Sequence, residues 1–148
     1  MTISDNPNKI GTVIVPKGVA PKSHELLTAN RLAILGHQVI FQTPINEYRV
    51  KNPDILLDGE IWEMKSPHGN GTRTIDNNLR EAGHQGRFLV LDLIRLGINW
   101  PDDKVIAFVR YRMKIRHLEK VLVLHKMPDA KGRILATIIV GNQVEPVR

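Results

Sequence analysis

The chain has 148 residues, of which 42% are hydrophobic and 24% charged, values typical of a single globular domain with its own core. It has no cysteine, which excludes structural disulfides, thiolate metal sites and cysteine nucleophiles. The N-terminus lacks a signal-peptide pattern, and no apolar run approaches the roughly 20 residues that span a bilayer. The formal net charge of +6 favours a polyanionic partner, nucleic acid above all.

The first 22 residues are rich in Pro, Asn, Gly and Lys. We predict a flexible N-terminal segment over 1–22, in which the apolar burst Thr12–Val15 has room for one short edge strand. A single domain is then expected over 23–148.

The domain is predicted to begin with a helix that runs from His24 to about Leu35, with Ser23 as its N-cap and Gly36 as its end. Glu25 shares the apolar face of this helix. It is either a first-turn acid favoured by the helix dipole or a carboxylate directed at a site.

After a strand over Val39–Thr43, the sequence indicates a β-hairpin around Asp58-Gly59, a dipeptide that suits the positive φ angles of a two-residue turn. The resulting register pairs Leu57 with Glu60 and Asp54 with Glu63, and it places Lys65 on the same side. Two opposed carboxylates repel each other unless a cation or a proton relieves them. The alternative is an edge hairpin whose charged side faces solvent.

The next segment, Ser66–Thr74, is a glycine-rich polar loop, either an anion-binding nest or a plain connection. A second helix is predicted from Thr74 to about Gln85, followed by a buried strand over Arg87–Leu93 that contains Asp92. From Pro101 onwards we favour a helix, although the alternation from Arg110 to Arg116 leaves a strand open.

Two further strands, Val121–Leu124 and Ile134–Val140, complete the prediction. The fold class is therefore α/β (α+β) in one domain. A helix–three strands–helix–strand core forms a mixed sheet, followed by a further helix and two strands, with helices on both sides of the sheet.

Within the hairpin, Pro53-Asp54, Glu63 and Lys65 resemble the signature of the PD-(D/E)xK nucleases. This resemblance implies that Asp54 and Glu63 bind Mg²⁺, that Lys65 positions or activates the attacking water, and that Glu25 supplies a further acid. A Mg²⁺-dependent deoxyribonuclease is the function that it implies.

A second resemblance covers about residues 23–125. The chain is similar to the C-terminal tRNA-nuclease domains of contact-dependent inhibition toxins in these segments: His24–Leu26 with Ala29, Pro53–Ile55, Trp62–Pro67, Gly71–Ile75, Asn78-Leu79, Gln85 and Asp92. It implies a ribonuclease that cleaves tRNA in the cytoplasm of a target cell and is neutralised by a cognate immunity protein.

The two resemblances leave the use of a metal open. With Mg²⁺, Asp54 and Glu63 are ligands. Without metal, the RNA 2′-hydroxyl is the nucleophile and needs a general base, a general acid and cations. The candidate catalytic residues across both chemistries are Glu63, Lys65, Asp54, Glu25, His24, Ser66 and Thr74, with His68 and His84 as further histidines.

Phosphate contacts are expected from the basic residues Arg73, Arg80, Arg110, Arg112, Lys114 and Arg116. The run from Arg110 onwards is otherwise a solvated helix face. A non-catalytic basic module that docks on nucleic acid is the remaining alternative, and the acidic pair in the hairpin argues against it.

Overall fold

The structure, a computed structural model, describes residues 9–44, 54–97, 100–141 and 143–147. Pro53 and most of the connection before it, where no strand or helix is predicted, lie outside these ranges. The described elements occur in this order: β1 Thr12–Ile14, α1 Ser23–Ile34, β2 Gln38–Phe41, β3 Ile55–Leu57, β4 Glu60–Lys65, α2 Thr72–Gln85, β5 Phe88–Asp92, α3 Asp102–Met113, β6 Lys120–Leu124, β7 Ala136–Val140 and β8 Gln143–Val147.

One mixed sheet contains all eight strands, and their order across the sheet is the same as their order in the sequence. The pairs β1–β2, β4–β5 and β5–β6 are parallel, and a helix connects the two strands of each pair. The hairpin β3–β4 and the pairs β2–β3, β6–β7 and β7–β8 are antiparallel. The predicted mixed α/β fold is confirmed.

The helices cover both sides of the sheet, as predicted. Successive strand residues point to opposite faces, so each face has apolar side chains that a helix can cover. Against one face, α2 and α3 bury Leu79 and Val109 with Leu89 and Leu91 of β5. Against the other, α1 buries Leu32 with side chains that include Trp62 of β4 and Val90 of β5. Both faces of the central strand β5 are therefore dry, which explains its continuous apolar sequence.

Two local predictions differ from the structure. Lys22, not Ser23, is the N-cap of α1, and Ser23 is the first helical residue. The strand β8 was missed, and it contains Pro146, which an edge strand tolerates because its N–H is not needed. The short edge strand for which the sequence left room at Thr12–Val15 is present as β1, which pairs with β2.

The segment after Pro101 is a helix, α3, and not the alternative strand. His117, with φ of 61°, lies in the left-handed region after this helix and redirects the chain towards β6. No helix among the described residues is long and apolar enough to cross a membrane.

Candidate active site

The hairpin has the predicted turn and register. Asp58 and Gly59 have φ angles of 50° and 85°, and Leu57 pairs with Glu60. The Asp58 carboxylate lies 2.6 Å from Nδ1 of the buried His37 and accepts a hydrogen bond of 2.8 Å from the Gln38 backbone N–H. These two contacts tie the turn to β2 and fix the direction of the hairpin.

At the open end of the hairpin, the Asp54 and Glu63 carboxyl groups are close neighbours. Asp54 Oδ2 accepts a hydrogen bond of 2.8 Å from the Met64 backbone N–H. Glu63 is only 1% exposed, and among the described residues no N–H or O–H donor reaches either of its side-chain oxygens. A proton on one of the two carboxyls would let it donate to the other.

Burial and charge repulsion by the neighbouring Asp54 carboxylate together raise the pKa of Glu63 to about 8. Lys65 opposes this effect. Glu63 is therefore mostly protonated at pH 7 unless a cation takes the place of its proton.

In front of the carboxyl pair lies an open cavity of about 330 Å³. It is formed where β4 ends, between α1, α2 and the turn that follows β5. Its wall consists of Lys22, His24, Glu25, Thr28, Asp54, Met64, Lys65, Ser66, Asn78, Gln85 and Arg95. Glu63 is not part of this wall and lies beneath it, with Gly86 packed against its side chain.

Two cations of the cavity wall are held by specific partners. The Lys65 ammonium lies 3.1 Å from Glu81 Oε2, a carboxylate whose side chain is 56% exposed. Arg95 donates from Nε to Ser66 Oγ at 3.2 Å and from Nη2 to the Ser66 carbonyl at 2.7 Å. Ser66 thus positions a guanidinium group.

The first turn of α1 contributes His24 and Glu25. Glu25 Oε1 accepts a hydrogen bond of 2.8 Å from the Lys22 backbone N–H, so it caps the helix and also lines the cavity. Both interpretations of Glu25 therefore apply. Partial burial and the nearby Arg95 lower the pKa of His24, which keeps its imidazole neutral at pH 7 and able to accept a proton.

A buried ion pair connects α1 to the far end of β5. Asp92 is fully buried, and its carboxylate pairs with Arg31 and accepts hydrogen bonds from Thr28 Oγ1 at 2.7 Å and from the Ile94 N–H at 3.0 Å. Arg31 also donates to the His125 carbonyl at 2.6 Å. Asp92 therefore joins the helix that carries Glu25 to the turn that carries Arg95.

The structure brings together six of the seven predicted catalytic residues: five line the cavity, and Glu63 lies directly beneath it. Thr74 is in the first turn of α2 and is not in the cavity wall. Sequence reasoning did not propose Lys22, Thr28 or Arg95, and it used Asn78 and Gln85 only as parts of a resemblance. Arg95 was recognisable only by its position after the carboxyl end of a buried parallel strand, where ligand sites of α/β proteins lie.

The six predicted phosphate-binding residues divide into two groups. Arg112 and Arg116 both place their guanidinium forks on Asp76 of α2, at distances of 2.5–3.2 Å, and these contacts lower the pKa of Asp76 to about 2. They join α2 to α3. The others, Arg73, Arg80, Arg110 and Lys114, are exposed on the surface, and their contacts with nucleic acid stay a prediction.

Only the carboxyls of Asp54 and Glu63 are available to hold a divalent cation here, because the described residues contain no group of three or more His, Asp or Glu side chains arranged to hold a metal. Two adjacent carboxyls suffice for Mg²⁺, which keeps several of its waters. The two buried Glu63 oxygens without donors are the observation that fits such a cation.

Comparison with known proteins agrees with this fold. One chain of the solved CdiA-CT/CdiI toxin and immunity complex from Burkholderia pseudomallei matches with a TM-score of 0.56 and 22% identity over 93% of this chain and 97% of that chain. No curated protein matches the sequence. The model of the contact-dependent growth inhibition CdiA C-terminal domain matches residues 51–128, more than half of the chain. The protein therefore belongs to the family of contact-dependent growth inhibition CdiA C-terminal domains.

Proposed function

We propose that this domain is a ribonuclease toxin that cleaves tRNA in the cytoplasm of a target cell and is neutralised by a cognate immunity protein. Membership of the contact-dependent growth inhibition family supports the toxin role. The similar Burkholderia pseudomallei chain is part of a toxin and immunity complex, which supports an immunity protein as partner. The net charge of +6 suits a nucleic-acid substrate.

The observation that carries the nuclease proposal is the Asp54–Glu63 carboxyl pair, in which Asp54 lines the cavity together with Lys65 and Arg95 and Glu63 lies behind it. A buried carboxyl with a raised pKa beside a second carboxyl, as Glu63 is, is costly in a folded protein and is typical of catalytic sites. The adjacent cations supply the positive charge that a phosphodiester requires.

In the metal-dependent form of this proposal, Asp54 and Glu63 would hold a divalent cation such as Mg²⁺, which when bound would neutralise phosphate charge and activate water. Glu63 has to give up its proton to act as a ligand. The Lys65 ammonium, 3.1 Å from the exposed Glu81, is placed to exchange this carboxylate for a phosphate oxygen.

In the metal-independent form, the neutral His24 accepts the proton of the RNA 2′-hydroxyl, whose oxygen attacks the adjacent phosphorus. The bond from phosphorus to the 5′-oxygen breaks, which leaves a 2′,3′-cyclic phosphate, and the leaving 5′-oxygen takes up the proton that Glu63 carries at neutral pH. Lys65 and Arg95 stabilise the negative charge that develops on the phosphate oxygens.

The test is incubation of purified protein with bulk tRNA and with DNA, with and without EDTA. Wild type is expected to cleave tRNA, and Glu63→Ala and Lys65→Ala are expected to lose this activity while remaining folded. Glu145→Ala and Lys131→Ala, at exposed positions outside the cavity wall, are matched controls for the loss of one charge. Loss of tRNA cleavage in EDTA supports the metal-dependent form.

Undiminished cleavage by both site variants would exclude the hairpin as the active site. If the protein cleaves DNA but not tRNA, the result would support the alternative function, a PD-(D/E)xK deoxyribonuclease. If the protein binds tRNA but cleaves neither tRNA nor DNA, the result would support the other alternative, a non-catalytic basic module that docks on nucleic acid.

A further inference from the structure

We propose that Arg95 binds a phosphate group of the RNA substrate in the cavity and that Ser66 positions its guanidinium for this contact. The inference rests on the proposed ribonuclease function and names a substrate-binding residue within it. It follows from the hydrogen bonds of Arg95, from the way its backbone is held and from the charges around it.

The guanidinium group is planar and has donors on more than one edge. The edge formed by Nε and Nη2 is occupied by the hydroxyl and the carbonyl of Ser66. Among the described residues, no carboxylate pairs with Arg95, and Nη1 has no protein acceptor within hydrogen-bonding distance. Because the side chain lines the cavity, this unused donor edge is available to an anion that enters it.

The backbone of Arg95 is fixed on both sides. The Ile94 N–H donates to Asp92, the Leu96 N–H donates to the Leu93 carbonyl at 3.0 Å, and the Gly97 N–H donates to the Gly69 carbonyl at 2.6 Å. A Cβ at Gly97 would lie 2.8 Å from the Gly69 carbonyl oxygen and would also overlap the Asn70 side chain, so this close approach requires glycine. The backbone of Arg95 is thus held in a fixed turn and its guanidinium is held by Ser66, so less side-chain freedom is lost when an anion binds.

Among the described residues, the other cations of the cavity wall and those held in buried or half-buried ion pairs are less suited to this contact. Lys65 has Glu81 as a partner, and Arg31, Arg112 and Arg116 are paired with Asp92 or Asp76. Lys22, the third cation of the cavity wall, is exposed and presents a compact ammonium group. The planar fork of Arg95 matches the tetrahedral oxygens of a phosphate better than an ammonium does.

The experiment separates binding from cleavage. In a Glu63→Gln background, which removes the ionisable carboxyl but keeps its shape, binding of bulk tRNA is measured as a function of salt with and without Arg95→Ala. We expect Arg95→Ala to weaken binding roughly tenfold to a hundredfold, the range for a hydrogen bond to a charged group. The slope of log K against log[salt] should fall in magnitude by about 0.7–0.9, the value for one phosphate contact.

Two further variants test the geometry. Arg95→Lys should restore the salt slope but not the full affinity, since lysine cannot hold Ser66 and a phosphate at the same time. In the active enzyme, Ser66→Ala should raise KM more than it lowers kcat, with an unchanged melting temperature. Arg133→Ala, an arginine whose side chain is 70% exposed and paired with Asp129, is the control and should change the salt slope only slightly.

Equal tRNA affinity and equal salt slope with and without Arg95→Ala would overturn the inference. The outcome remains distinct from failure of the proposed function, because wild type would still cleave tRNA and Glu63→Gln would still abolish cleavage. If Arg95→Ala does not fold, unchanged KM in Ser66→Ala together with full affinity in Arg95→Lys would overturn it instead.

Discussion

The substitution Glu63→Gln should change the pH dependence of stability in a way that follows from the burial of this carboxyl. Its pKa is about 8 in the folded protein, against an ordinary value of 4.5. Between these two pH values the unfolded chain has lost the proton while the folded chain retains it. The unfolded state therefore binds fewer protons, and the free energy of unfolding falls as pH rises through this window.

The size of the effect follows from the same two values. A difference between 4.5 and about 8 corresponds to on the order of 5 kcal/mol, because each pKa unit is worth about 1.4 kcal/mol. Glutamine keeps the shape of the protonated acid and does not titrate. Glu63→Gln should therefore match wild type below pH 4.5 and be more stable by several kcal/mol at pH 9.

The assay is urea denaturation from pH 5 to pH 9 in EDTA, with the free energy of unfolding compared between variants at each pH. Groups remote from Glu63 affect wild type and Glu63→Gln alike, so the difference between the two variants reports on Glu63 and on the Asp54 carboxyl beside it. Glu145→Gln, on the exposed edge strand β8, is the control and should give a difference that does not change with pH. If the difference in free energy of unfolding between Glu63→Gln and wild type changes by less than about 1 kcal/mol from pH 5 to pH 9, the reasoning is refuted.

Three other predictions follow from the structure. Mg²⁺ or Mn²⁺ should raise the melting temperature of wild type, whereas Asp54→Asn should remove most of this increase and raise the melting temperature measured without metal. If the Asp54→Asn variant keeps the increase caused by the cation, the cation site is contradicted. Asp92→Ala should lower the free energy of unfolding by about 3–5 kcal/mol, because it leaves the buried Arg31 without its partner. A urea denaturation midpoint equal to that of wild type would show that the ion pair does not stabilise the fold. Arg110→Ala and Lys114→Ala should each reduce the magnitude of the tRNA salt slope by about 0.7–0.9 without a change in melting temperature, and unchanged slopes would identify this surface as a solvated face.

The parts of the fold that the sequence predicted are those governed by local chemistry. The register of the hairpin follows from Asp58-Gly59, because a two-residue turn with positive φ angles leaves one pairing between its flanking strands. The strand β8 was missed because all but its last residue are exposed, so it has neither an apolar run nor an alternating pattern.

The candidate site was predictable where its residues share one element and not where distant segments meet. Asp54, Glu63 and Lys65 all belong to the hairpin, so their proximity follows from its register. Arg95 reaches Ser66 only because β4 and β5 pair in parallel, which no local pattern specifies. The partner of Arg112 is likewise 36 residues away on another helix, so a basic run with the composition of a nucleic-acid surface includes side chains that join two helices.

The matching order of strands in the sequence and across the sheet has a consequence for how this domain folds. Each strand pairs with the strands directly before and after it in the chain, so no segment has to insert between two strands that are already paired. The three parallel pairs close through a helix, whereas β3 and β4, and likewise β7 and β8, are separated by only two residues and close at a lower entropic cost. The sheet can therefore extend from either of these two hairpins by adding one neighbouring strand at a time.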